Sequence, residues 1–228
     1  DAEDVGVERD DLELVGVARL QSERHDVARR IVDCHLATMA RLGIRYELLA
    51  HESDILRLHF WNRAFELLKE KGAIRLETEG KSQGCWVLPM GDGDDAVDED
   101  KIIVRSNGTV TYTGKDIAYQ LWKLGKLDRD FRYRLYRRDP DGHELWTTTS
   151  EAGEAGAPFF GHADAVYNVI DVRQSYLQRL LSQALAAAGH PGEAERSIHF
   201  AYEMVALSHQ TAKQLGYSSE AEEAGRPF

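Results

Sequence analysis

At 228 residues, 43% of them hydrophobic and 29% charged, the chain can fill one sizeable core and carry an appended subdomain. No apolar run approaches the roughly 20 residues that span a bilayer, and the acidic opening Asp1-Ala2-Glu3-Asp4 offers no signal peptide, so no membrane partner is expected. The net charge of -11 argues against an unspecific nucleic-acid coat protein, but leaves room for a local basic face.

In chain order, Val27, Ile31, Cys34, Leu36, Met39 and Leu42 predict an amphipathic helix from His25 to Leu42, with Gly43 as its stop. A second helix is predicted from about Asp54 to Lys71, with Ser53 as N-cap, the stripe Ile55, Leu58, Trp61, Phe65 and Leu68, and Gly72 at its end. Ala73 to Thr78 and Cys85 to Leu88 read as strands. Gly91 to Asp100, rich in Gly and Asp, reads as an exposed loop and the best boundary. Lys101 to Arg105, the turn Asn107-Gly108 and Thr109 to Tyr112 predict a hairpin, because Asn-Gly tolerates positive φ.

A helix from about Lys115 to Lys123 follows. Tyr133 to Thr149 reads as two strands around Asp139-Pro140-Asp141-Gly142, and Glu151 to Pro158 as a linker. Ala165 to Val172 is apolar enough for a strand buried on both faces of a parallel sheet. A helix over Gln178 to Ala188, a buried strand over Ser197 to Leu207 and a short helix over Thr211 to Leu215 complete the pattern. This alternation predicts an α/β fold with crossovers.

Two constellations could carry chemistry. Tyr112 and Asp116 share one helix face if the helix begins near Tyr112, and a phenol beside a carboxylate can hold a cationic or polyol ligand. The plainer reading is a helix-start Asp favoured by the dipole, with Tyr as packing. Asp171-Val172-Arg173-Gln174 ends the apolar strand, where open parallel sheets bind ligands; alternatively Asp171 and Arg173 form an ordinary surface pair. His35 and His51-Glu52 lack the spacing of a metal site. Cys34 and Cys85 are too few for a disulfide framework and too far apart for a zinc site, so buried or idle thiols and a cytoplasmic setting are expected. The alternation of Phe200, Tyr202 and Met204 reads first as core.

Several stretches together resemble arginyl-tRNA synthetase, a class I aminoacyl-tRNA synthetase. Glu52-Ser53-Asp54, Phe60-Trp61, Gly72-Ala73-Ile74 and Gly84-Cys85-Trp86-Val87 resemble its mid-catalytic segment. The most specific match runs from Asp100 through Arg105-Ser106-Asn107-Gly108-Thr109 to Tyr112-Thr113-Gly114-Lys115-Asp116-Ile117-Ala118. Val169 to Gln174 and His199 to Val205 resemble two later strands; Leu177 stands where many members have His, and Glu203 where Gly is common.

The resemblance implies that Tyr112, Asp116 and Gln174 bind L-arginine, and that Met204 and Val205 line the adenine of ATP, with Mg2+ arriving as part of the substrate complex. It implies a segment 1–99 of helical and α+β connective character, then the second half of a Rossmann-like catalytic domain over 100–228, with a small β insertion near 131–160. The implied activity is arginine–tRNA ligase, acting on tRNA(Arg). The family's His-x-Gly-His and Lys-Met-Ser-Lys-Ser elements are not in this sequence, so a fragment inactive alone is expected. The rival readings are a non-catalytic arginine-binding module and another class I synthetase or nucleotidyl transferase. The sequence does not set the oligomeric state, a monomer being the default.

Overall fold

The computed structural model describes residues 26–89, 100–203 and 206–216, which form a mixed α/β chain. Two compact units result: Asp1–Leu49 with Tyr136–Trp146, and Ala50–Leu135 with Thr147–Phe228. The predicted loop at Gly91 to Asp100 lies outside the described residues except for Asp100.

In the first unit, helix α1 spans 26–41 and strand β1 is Leu48–Leu49. Beside them is the turn between β5, Arg132–Arg138, and β6, Glu144–Thr149, in a sheet ordered β1-β6-β5. The predicted helix is present, but its apolar stripe is not a core face. Leu36 is buried, whereas Val27, Ile31 and Cys34 are exposed. Polar contacts hold the helix instead: the Tyr136 hydroxyl donates to Asp33 at 2.7 Å, and the Arg29 guanidinium lies 5.5 Å from the Tyr136 ring centre.

In the second unit, the single helix expected over 54–71 is two helices, α2 at Glu52–Arg57 and α3 at Phe60–Glu70. His59 breaks them by taking a left-handed backbone (φ 59). That costs a non-glycine residue some strain, but it frees the two helices to satisfy different partners. Asp54 of α2 is buried and accepts a 2.7 Å hydrogen bond from the Thr148 hydroxyl. Helix α3 buries Phe60, Trp61, Ala64 and Leu68. The expected Ser53 cap is replaced by His51, whose N–H bonds Thr148 Oγ1 at 2.9 Å. The Gly72 stop is as expected: Gly72 has φ +67, and Ala73 N–H reaches Leu68 O at 2.8 Å.

Strands β2 (Arg75–Leu76), β3 (Trp86–Leu88) and β4 (Lys101–Val104) form an antiparallel sheet ordered β2-β3-β4. The turn at Asn107-Gly108 forms, with Gly108 at φ +80. Its second arm is only the bridge Val104 to Val110, because the chain turns directly into helix α4, Tyr112–Lys123. Thr111 caps α4: its hydroxyl accepts from Gly114 N–H and lies 3.1 Å from the Ile102 and Ile103 carbonyl oxygens. Helix α4 therefore starts three residues earlier than Lys115, and Tyr112 and Asp116 do share a helix.

Strand β7, Val166–Asp171, pairs in parallel with β8, Ser197–Tyr202. Helices α5 (Ser175–Ala187) and α6 (Pro191–Glu195) make the crossover, and α7 (His209–Gln214) follows. One expectation is corrected here. Neither strand is buried on both faces: Tyr167 is 63% exposed, Val169 64% and Phe200 60%. Val169 pairs directly with Phe200, so they share an open apolar face. The other side is tied to α4, where Gln120 donates to Ser197 Oγ at 2.9 Å and the Lys123 ammonium lies 3.3 Å from Asn168 Oδ1.

Candidate functional site

Helix α4 carries the first two candidates at its mouth. Tyr112 opens the helix and is 57% exposed, so it is no core residue. Asp116, one turn further, is half-buried. Among the described residues it accepts no hydrogen bond and forms no ion pair, although Glu52, Lys115 and Lys123 all act on it through space. Burial is the main cause that holds its carboxyl above the usual carboxylate range. Glu52 adds to this, and Lys123 and Lys115 oppose it. Lys115 spends its own charge on Glu52 in a direct ion pair. A half-buried carboxylate without a donor is costly unless a ligand supplies one.

Gln174 lies at the other helix mouth. Strand β7 ends in a short 3-10 turn, Val172–Gln174, and Gln174 is the exposed residue before α5. Asp171 does not face outward as a free ligand group. It accepts from Arg173 at three donors, the backbone N–H at 2.8 Å, Nε at 2.9 Å and a terminal nitrogen at 2.7 Å. This holds the Asp171 carboxyl at about 2. Asp171 and Arg173 thus form an ordinary local pair, and Gln174 alone of that run stays available.

Lys101 of β4 relates the two helix mouths. Its ammonium lies 5.6 Å from the Tyr112 ring centre and 5.3 Å from that of Tyr176, two residues beyond Gln174. Both phenol faces therefore look toward one cation. Deeper along α4, Lys123 sits 4.6 Å from the Tyr119 ring centre and 3.3 Å from Gln120 Oε1, and burial lowers its pKa. Residues 204 and 205, the expected adenine wall Met204 and Val205, lie outside the described residues. Lys101, Tyr176, Lys123 and Glu52 carry no local signal, because they come from other elements or from two turns away. Among the described residues no cluster of His, Cys, Asp or Glu could hold a metal, and no helix is long and apolar enough to cross a membrane.

Fold and site thus define a mixed α/β chain with an exposed phenol and a donorless carboxylate on one helix face. No family model matches it. It is 38% identical over 180 residues to the arginine–tRNA ligase of Thermococcus sibiricus, covering 78% of this chain and 28% of that protein. It is 42% identical over 190 residues to an arginine–tRNA ligase of Thermus thermophilus, covering 82% and 31%. The solved arginyl-tRNA synthetase of Thermus thermophilus superposes with a TM-score of 0.71 at 38% identity, over 88% of this chain and 33% of that one. The chain is thus similar to arginyl-tRNA synthetases over most of its own length, and it spans about a third of the length of the curated relatives it matches.

Proposed function

We propose that this chain is part of an arginine–tRNA ligase, which activates arginine with ATP and transfers it to tRNA(Arg), and that it supplies the arginine-binding wall. The donorless carboxylate of Asp116 carries this reading. A guanidinium brings a planar fork of N–H donors that answers two carboxylate oxygens at once. Tyr112 packs on the cation or bonds it, and Gln174 meets the amino-acid end. Lysine and citrulline would leave buried polar groups unpaired and are disfavoured for that reason.

In the reaction the arginine carboxylate attacks the α-phosphate of ATP. Arginyl-adenylate forms and pyrophosphate leaves. A ribose hydroxyl of the tRNA terminus then takes the arginyl group. Mg2+ arrives with ATP and neutralises phosphate charge. Tyr112, Asp116 and Gln174 contribute by orienting arginine rather than by moving protons. Met204 and Val205 belong to the adenine side in this reading. The His-x-Gly-His and Lys-Met-Ser-Lys-Ser elements are not among these 228 residues, so the piece by itself is expected to charge no tRNA.

The same reading makes 100–228 the second half of a Rossmann-like catalytic domain with a β insertion near 131–160, preceded by a connective segment over 1–99. The open face of β7 and β8 supports it. Parallel strands are normally covered on both sides, and a chain a third the length of its relatives leaves the cover to the rest of the protein. The setting is cytoplasmic. The test is amino-acid-dependent exchange of pyrophosphate into ATP by the full-length protein with tRNA present. Arginine alone should support exchange, and exchange driven by a different amino acid instead would overturn the assignment.

A further inference from the structure

A hollow of about 410 Å³ opens beyond the C-terminal end of α4. Arg57, His59, Arg129 and Arg132 line it with Asp128 and Asp130. Both carboxylates already have partners. Asp130 accepts from Trp122 Nε1 at 2.9 Å, from the Tyr133 hydroxyl at 2.5 Å and from Phe131 N–H at 2.8 Å. Asp128 pairs with Arg63 at 3.3 Å. Arg132 is aimed by the carbonyls of Ser150 and Glu151, at 3.3 Å each, which leave its charge intact. Arg57 and Arg129 have no carboxylate partner among the described residues. Three guanidinium groups thus line the hollow against two carboxylates, one of them paired with Arg63, which leaves a local positive excess on a chain of net charge -11.

We propose that this hollow binds a phosphodiester of an RNA backbone, which on the function proposed above belongs to the tRNA. Guanidinium forks match phosphate oxygens bidentately. The only apolar side chain in the lining is Leu58, and no Phe, Tyr or Trp lines it, so a nucleobase would find no large apolar ring to stack on there. That favours a phosphate carried on a continuous backbone over a free nucleotide. Lys123, at the C-terminal end of α4, is about 10 Å along the helix axis from Asp116 and about 16 Å from Tyr112, and the lining shares no residue with the arginine wall. His59 and Asp128, both left-handed (φ 59 and 54), form two of its walls. An acidic protein needs such a local basic landing to hold a polyanion.

The test uses the full-length protein with Arg57 and Arg129 both changed to Ala, and with both changed to Lys. Binding of tRNA is measured across a salt series, and KM is measured for arginine and for ATP. The Ala pair should weaken tRNA binding about tenfold and flatten the slope of log affinity against log salt by about one, while both KM values hold. The Lys pair should keep most of the slope. Unchanged tRNA affinity and slope in the Ala pair would overturn the proposal, as would a raised KM for ATP with tRNA binding intact. Failure of the unsubstituted protein to activate arginine would count against the proposed function instead. The comparison of tRNA binding by the Ala pair with the unsubstituted protein would still decide the hollow.

Discussion

Gly114 sits between Tyr112 and Asp116 in the first turn of α4, and replacing it with Ala sets two effects against each other. Gly to Ala in a helix gains about 1 kcal/mol of propensity. The added Cβ would lie 2.9 Å from Val110 Cγ1, 3.0 Å from a Trp61 ring carbon and 3.1 Å from Ile103 Cγ2. Trp61 and Ile103 are buried and cannot swing away. Overpacking of this kind costs about 1–3 kcal/mol, so the clash should win by about 1 kcal/mol. In urea unfolding the midpoint should fall with the m-value unchanged, and Tm should drop by about 2–4 °C. The displaced first turn should also weaken arginine binding in the full-length protein. A raised Tm with arginine binding intact would refute the packing argument, because it would mean that the first turn of α4 is not pressed against α3 and β4.

Three further outcomes are expected. Burial raises the Asp116 pKa, and protonation removes its charge, so arginine affinity should fall as pH drops through that raised value, at a pH above the ordinary carboxylate range. Lys123→Met should move the fall to higher pH and Lys123→Arg should restore it, as read from the pH profile of KM for arginine. For stability the sign runs the other way: the raised Asp116 favours the folded state at low pH, and this contribution is lost as pH rises through the folded pKa. Thr111→Ala should destabilise the protein by about 1 kcal/mol in the same urea titration, through loss of the cap on α4. Phe200→Ser should make the 228-residue piece less prone to self-association in sedimentation, yet lower Tm in the full-length protein, where that face is covered on the proposed reading.

What the sequence shows and hides follows from the range of the interactions. The cap and turn chemistry of 100–118 is local, so the hairpin turn and the position of Asp116 one turn after Tyr112 can be read from residue types alone. The break at His59 cannot, because it is set by contacts of Asp54 with Thr148, far along the chain. Val169 and Phe200 read as core because their composition is core composition. Their exposure depends on what packs against that face of the sheet, which no property of those residues reports. Asp116 is a candidate from spacing, but its burial beside Glu52 emerges only once α2 is in place. The link between the two helix mouths through Lys101 depends on packing alone, since Lys101 and Tyr176 are far apart in sequence.

The most direct test compares L-arginine with L-citrulline, its neutral isostere, for binding to the full-length protein before and after Asp116→Asn. Charge-assisted hydrogen bonds are worth about 1.5–3 kcal/mol, so arginine affinity should fall roughly 10- to 150-fold, while the weaker citrulline binding changes little. Arginine binding that is the same in both proteins would mean that this carboxylate does not meet the guanidinium.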